Sequence, residues 1–355
     1  MKLSAACIII ASCIGSAAAA QPKGVALGMH TVEYGGGSEK ARAATVAKIV
    51  KTGAAFVRIN ILWRNIQPTG ADHYASNFVA VYDDYIDKLA RAKLDIIAIS
   101  TITPKWASSG TILRKGNDVP SNVPAPAAFA QWMSWLAARY KDKVSAFQFY
   151  NEVDIPNNWD NGGAESYMAV HIAGYNAVKA VGPDLLVVTP GISWEYGRSA
   201  AFVKSMYAFG LHGNYDVMAL HLYPIPSHDL IAYVKAVTDI MDANDDTSIP
   251  LWVTETGLPT MTKPTYAQTE EQQVEFWDKR VLRDMRGLMP RIRRITWYEL
   301  EDHGLPVSAS WTAADNKAEP EFNFGVYRSD GSGKLILQRM QNYDPTDRTI
   351  APAAR

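Results

Sequence analysis

Two stretches of this chain carry a glutamate to the point where an apolar run stops. Phe147-Gln148-Phe149-Tyr150 leads into Asn151-Glu152-Val153-Asp154, and Leu251-Trp252-Val253-Thr254 leads into Glu255-Thr256-Gly257. A carboxyl group at such a boundary is anchored by buried backbone on one side and faces a cleft on the other. Two of them facing each other are the equipment of glycosidic bond cleavage. One protonates the departing oxygen, and the other attacks the anomeric carbon or activates water as an oxocarbenium-like transition state forms. Either glutamate alone reads as a surface residue at a loop start; the pair in matching positions points to chemistry.

Something must bring residues 152 and 255 together. Eight apolar, β-favouring runs can be marked: Val25 to His30, Phe56 to Trp63, Leu94 to Thr101, Ala146 to Asn151, Leu185 to Thr189, Val217 to Tyr223, Leu251 to Glu255 and Ile295 to Leu300. Helical patterns lie between them. Ser38 is a plausible N-cap for a segment with Val46, Ile49 and Val50 at helical spacing, closed by Gly53. The same grammar recurs in Val79 to Ala92, Ala127 to Tyr140, Tyr167 to Val181 and Gln272 to Leu288. Near-continuous apolar strands alternating with helices predict a parallel sheet covered by helices. Eight units at intervals of roughly 30 to 50 residues fit a (β/α)8 barrel, the TIM barrel of the α/β class, better than an open doubly wound sheet. No Gly-x-Gly-x-x-Gly follows the first strand, against a dinucleotide site. No Pro-, Gly- or Ser-rich linker divides the chain, so one domain over residues 21–345 is expected. It should carry a long loop from His303 to Phe324, a turn at Ser329-Asp330-Gly331, a last helix over Leu335 to Tyr343 and a tail over 346–355. In such a barrel, chemistry sits at the C-terminal ends of the strands. Both glutamates fall there, on strands four and seven.

With these residues in place, the chain resembles a retaining glycoside hydrolase of clan A, and within that clan is most similar to family 39. The resemblance runs from Gly28 to the final helix. Asn151-Glu152, with Pro156-Asn157-Asn158-Trp159 behind it, resembles the acid/base motif, and Thr254-Glu255 resembles the nucleophile motif. It implies Glu152 as acid/base, Glu255 as nucleophile and Asn151 as the partner of the sugar 2-hydroxyl. Arg58 lies inside an apolar strand, where an unpaired guanidinium would be costly, so it must meet a carboxylate. The resemblance implies that this partner is Glu255; a purely structural ion pair is the competing reading. His221-Leu222-Tyr223 resembles a motif whose Tyr orients the nucleophile and whose His lines the same subsite, and His30 ends the first strand at the same rim. The retaining mechanism carries a geometric demand: carboxyl groups about 5 to 5.5 Å apart, against roughly 6.5 to 9.5 Å for inversion.

Trp297, near the end of strand eight, resembles a platform on which a sugar stacks, with a core Trp as the alternative. Trp63, Trp106 and Trp159 stand where strands two, three and four give way to loops, which suggests several sugar subsites. Trp132 and Trp135 share a helical pattern with Phe129 and Leu136 and read as helix-to-barrel packing. Glu299, Glu301 and Asp302 read as solvated loop residues, Asp154 as either a partner of Glu152 or a turn cap, and Arg291, Arg293 and Arg294 as a basic cluster preceding strand eight.

Composition narrows the partners. Lys plus Arg number 35 against 36 Asp plus Glu, for a formal charge of −1, with 48% hydrophobic residues. That balance offers no basic face for nucleic acid. The only sustained apolar run, Leu3 to Ile14, is too short and too early for a membrane span. After Lys2 and before Ala18-Ala19-Ala20 it reads as an export signal over residues 1–20, giving a periplasmic or secreted protein. Ile10-Ala11-Ser12-Cys13 admits the alternative of a lipoprotein anchored through Cys13. Both cysteines, Cys7 and Cys13, fall in this segment, so the exported chain would hold no disulfide. There is no His-x-His on the first strand and no His-Glu-x-x-His helix, so neither metal nor other cofactor is expected. A monomer acting on an oligosaccharide or polysaccharide is expected. Several exo-acting relatives carry an appended β-sandwich, and none is expected here after strand eight. Together with the rim aromatics and the export signal, this favours endo action, with a bacterial exopolysaccharide as one candidate substrate. An exo-acting β-glycosidase and a carbohydrate-binding barrel without catalysis are the alternatives.

Overall fold

The structure is a computed structural model, described here for residues 24–31, 37–114, 117–120, 122–156, 158–160, 163–193, 196–223, 229–260, 268–303 and 322–346. The expected export signal and most of the loop from His303 to Phe324 and of the tail lie outside the described residues.

Eight strands form the sheet: β1 (Ala26–Thr31), β2 (Phe56–Leu62), β3 (Asp95–Thr101), β4 (Ala146–Phe149), β5 (Leu186–Val188), β6 (Met218–His221), β7 (Leu251–Thr256) and β8 (Ile292–Trp297). Their order is β5-β4-β3-β2-β1-β8-β7-β6, with every neighbouring pair parallel. Single parallel bridges, Val188 to Val217 and Ile192 to Leu220, join the two ends and close the barrel. The helices are α1 (Glu39–Lys51), α2 (Ser76–Arg91), α3 (Pro126–Tyr140), α4 (Ala164–Val181), α5 (Tyr196–Ala208), α6 (Leu230–Asp242), α7 (Glu270–Phe276) and α8 (Leu335–Gln341). The α7 segment continues as a wider π-type coil over Trp277–Leu288. The α/β class and the (β/α)8 architecture read from the sequence are therefore observed. An antiparallel hairpin, Thr111–Arg114 with Asn117–Pro120, follows β3 and had no counterpart in the sequence reading.

Local chemistry explains the helix ends. Ser38 accepts a hydrogen bond from the Ala41 N–H at 3.2 Å, Glu39 lies in the first turn and Lys48 and Lys51 in the last, each complementing the helix dipole. Gly53 then reverses the chain at φ +80°, a conformation that favours glycine. Thr269 and Gln272 form a reciprocal capping box on α7, and Asp229 caps α6 through the Ile231 and Ala232 amides. Among the described residues, no helix is long and apolar enough to cross a membrane.

Inside the barrel, Phe56, Ile97, Ala146, Val188, Val217, Ala219 and Trp252 pack into a floor distinct from the larger core between strands and helices. Gly28 is required beside it, since a Cβ there would meet the Phe56 ring at 2.2 Å. Arg294 caps this floor, its guanidinium 4.2 Å from the Trp252 ring centroid and 5.0 Å from that of Phe56, and pairs with Asp95. Strand eight thus starts three residues before the expected Ile295, and Arg293 and Arg294 lie within it. A search for apolar runs passes over this start because Arg294 buries its charge between aromatic faces and a carboxylate. Arg291 holds Asp242 and the carbonyl of Ile249 at the N-terminal rim, where the basic cluster was expected to serve stability.

Candidate active site

Backbone irregularities aim both glutamates. On β7 the pairing with β6 skips from Val253 to Glu255 while its partners advance from Leu220 to His221, and the pairing with β8 also slips. A bulge at this point turns an extra residue, as bulges beside active sites commonly do. After β4, Tyr150 and Glu152 take φ values of +62° and +45°. The left-handed region costs a non-glycine residue about 1–2 kcal/mol, so surrounding contacts must impose it. One of these contacts is the Glu152 N–H donating to the Gly191 carbonyl at 3.0 Å.

Arg58 organises the base of the site. It is 0% exposed and donates to Gln148 Oε1 at 2.7 Å, Glu255 Oε1 at 2.7 Å, His30 Nδ1 at 2.8 Å and Asn151 Oδ1 at 2.8 Å. Of the two readings of Arg58, the pairing with Glu255 is the one observed. His30 accepts from Arg58, so its ring is neutral; burial first, and then the Arg58 charge, brings it down to about 3. Burial alone would push the Glu255 carboxyl up. The Arg58 charge, with the Tyr223 hydroxyl donating at 2.9 Å, opposes it, and Glu255 is held down at about 2. The Tyr223 hydroxyl, raised well above its ordinary value by burial and by Glu255, keeps its proton for that bond. Across the cleft, His221 Nδ1 lies 2.8 Å from Glu152 Oε1 and 3.5 Å from Glu255 Oε2. One oxygen of each glutamate and the facing ring nitrogen all lie within 4.8 Å of one another.

The structure brings together Glu152, Glu255, Asn151, Arg58, His221, Tyr223 and His30. Arg58, His30 and His221 are at most 2% exposed, so they hold the carboxylates and present no surface to a ligand, which corrects their placement among substrate contacts. The aromatic expectations fare worse. Trp297 is fully buried, packs on Phe276 and Trp277 and donates its indole N–H to the Phe324 carbonyl at 3.1 Å. Trp63 stacks on Trp132, and Trp159 packs between Tyr150 and Tyr167, both fully buried as well. These three are core residues and not sugar platforms. Each indole N–H has found an internal acceptor, which removes the reason for the ring to stay at the surface. Trp106 is half-buried, its edge against Trp63 and its N–H on the Gln67 carbonyl.

Two residues were missed. Tyr298 is half-buried at the mouth, its ring 5.3 Å from that of His30 and 5.4 Å from that of Phe324. Alternation along β8 turns Tyr298 to the side of Arg294, which packs on the barrel floor, and Trp297 to the other. Gln148 bridges Arg58 and the Thr189 carbonyl, and its signal was a lone polar residue inside an apolar strand. Among the acidic residues, Glu299 is not solvated: it is 2% exposed, pairs with His303 at 3.0 Å, and burial pushes it up to about 7. Asp302 pairs with Lys334 and Glu301 with Lys48. Asp154 accepts from Ser193 and Ser199 and ties the loops after β4 and β5 together.

A closed barrel with two facing glutamates at the ends of β4 and β7 is the arrangement of the (β/α)8 glycoside hydrolase class. The chain belongs to the Cellulase family, glycosyl hydrolase family 5, whose model matches residues 18–285. In fold it is similar to a family 39 glycoside hydrolase from the gut symbiont Bacteroides cellulosilyticus, with TM-score 0.68 and 17% identity over 93% of this chain and 64% of that one. It is also similar to a family 5 enzyme of Bifidobacterium longum solved with Manβ1-4GlcNAc, with TM-score 0.67 and 15% identity over 89% and 77%. A family 39 β-xylosidase from Caulobacter crescentus gives TM-score 0.64 and 15% identity over 89% and 70%. The chain spans a little under two thirds of the first of these structures, 64% of its length. No curated protein matches this chain in sequence. The likeness to clan A, and to family 39 structures within it, agrees with the reading of the sequence.

Proposed function

We propose that this protein is a retaining O-glycosidase, endo-acting on a polysaccharide, with Glu255 as nucleophile and Glu152 as acid/base. The observation that carries the mechanism is the approach of one oxygen of each glutamate to within 4.8 Å, which favours the closer, retaining spacing over the wider, inverting one. Glu255, held ionised by Arg58 and Tyr223, forms a bond to the anomeric carbon as the glycosidic C–O bond breaks and the leaving oxygen takes the Glu152 proton. Water then gives a proton to Glu152 and its oxygen to the anomeric carbon, releasing the Glu255 carboxylate. Asn151, half-buried and oriented by Arg58, stands ready for the sugar 2-hydroxyl.

A polysaccharide substrate is supported by the description of the family, Cellulase; the rim tryptophans no longer support it. An exo-acting β-glycosidase is the second reading, since similar folds include a β-xylosidase and an exo-β-1,4-mannosidase. We place the protein outside the cytoplasm as a monomer after removal of residues 1–20, with 21–345 as its catalytic domain; N-terminal sequencing and size-exclusion chromatography test this. Product sizing on defined oligosaccharides, with proton NMR of the first product, tests the reaction. Retained anomers and internal fragments are expected. Inverted product, or equal rates for wild type and Glu255→Gln, would overturn the assignment.

A further inference from the structure

Gly191, on the segment after β5, touches both halves of the candidate site without belonging to either. Its carbonyl accepts the Glu152 N–H at 3.0 Å and so holds that residue in its left-handed conformation. Its Cα backs onto the imidazole of His221: a Cβ at position 191 would sit 1.9 Å from Nε2 and 2.5 Å from Cδ2. His221 is 0% exposed, and its Nε2 has no hydrogen-bond partner. Its Nδ1 faces two carboxylates, at 2.8 and 3.5 Å.

A neutral imidazole carries one N–H, and which nitrogen bears it follows from the partners available. A hydrogen on Nε2 would be a buried donor with nothing to accept it, and would leave Nδ1 lone pair to carboxylate; that arrangement loses on both sides. We infer that Gly191 is a positioning residue that fixes His221 as the Nδ1–H tautomer, so that its hydrogen is donated to Glu152 Oε1 at 2.8 Å. This rests on the retaining reading for its use. The same N–H holds Glu152 in place when Glu255 becomes an ester in the glycosyl-enzyme and Glu152 must take a proton from water. The absence of a side chain at 191 lets the ring sit deep enough to reach Glu152.

Nitrogen-15 NMR of the histidine-labelled protein reads the tautomer without any substrate, so it separates this inference from the reaction itself. The His221 signal is assigned by its loss in His221→Gln. In wild type at neutral pH the one-bond coupled hydrogen should be on Nδ1. A hydrogen on Nε2, or on both nitrogens, would overturn the inference even if glycosides are hydrolysed. Gly191→Ala should abolish the pure Nδ1–H spectrum and lower kcat about 10²-fold, as displacement of a reacting group by an ångström does, with KM changed less than about threefold. A Gly191→Ala protein with wild-type spectrum and kcat would remove the positioning role. Should that variant fail to fold, the wild-type spectrum still decides the tautomer.

Discussion

Arg58 and Glu255, 197 residues apart in sequence, meet at 2.7 Å as a buried ion pair, and no other acidic group bonds this guanidinium among the described residues. A buried pair broken on one side leaves a charge without compensation, at a cost of about 3–5 kcal/mol. Arg58→Met should therefore lower the urea unfolding free energy by that order and abolish turnover. Arg58→Met combined with Glu255→Gln should recover much of the stability and none of the activity.

The two glutamates should separate by leaving group. Glu152→Gln should lower the rate by about 10² to 10⁴ on substrates with poor leaving groups, and far less on activated aryl glycosides that depart without a proton. Glu255→Gln should be inactive on both. Matching losses for Glu152→Gln on the two substrate types would contradict a general-acid role.

Acid should unfold the protein through the site. Glu255 falls from 4.5 to about 2 on folding, so its stabilisation is complete above pH 4.5 and is lost as pH drops towards 2. At one pKa unit per 1.36 kcal/mol this is on the order of 3 kcal/mol. His30, which falls from 6.5 to about 3, acts in the same direction, because the unfolded chain takes up its proton first. Thermal melts of Glu255→Gln should depend less steeply on pH below 4.5 than those of wild type.

Glu299 has the opposite sign. Its carboxyl rises from 4.5 to about 7, so stability is fully present below pH 4.5 and declines as pH rises through 7. Glu299→Gln should gain on wild type by up to about 3 kcal/mol across that window, read from melts between pH 4 and 8. A gain independent of pH would sink this account.

The two neighbouring aromatics at the end of β8 should fail in different ways. Trp297→Ala removes a fully buried ring and should cost about 3–5 kcal/mol of stability, as such truncations do. Tyr298→Ala should leave stability nearly unchanged and raise KM, measured on the same oligosaccharides.

Much of this site was legible before any coordinates, and the reasons are physical. A charged residue in an apolar strand needs a partner, which exposed Arg58; apolar runs ending in polar pairs exposed Glu152, Glu255 and His221. Trp297, Trp63 and Trp159 misled because residue type does not settle burial: an indole serves equally as a sugar platform or as core once its N–H is satisfied. Tyr298 was hidden behind Trp297 beside it, because alternation along a strand turns only one of two adjacent side chains to the mouth. The hairpin after β3 was passed over because Thr111 to Pro120 is too short to show a period.

The barrel is sealed between β5 and β6 by single bridges, where its other neighbours share ladders of several residue pairs. Gly191 and Glu152 stand on one side of that seam and His221 on the other. Of all its joints, the ring of strands should therefore loosen first where the proton donor is seated, while the nucleophile sits on a strand that, bulge included, stays paired on both sides. Amide exchange should be fastest at Thr189, Ile192 and His221, each of which donates its N–H across this seam.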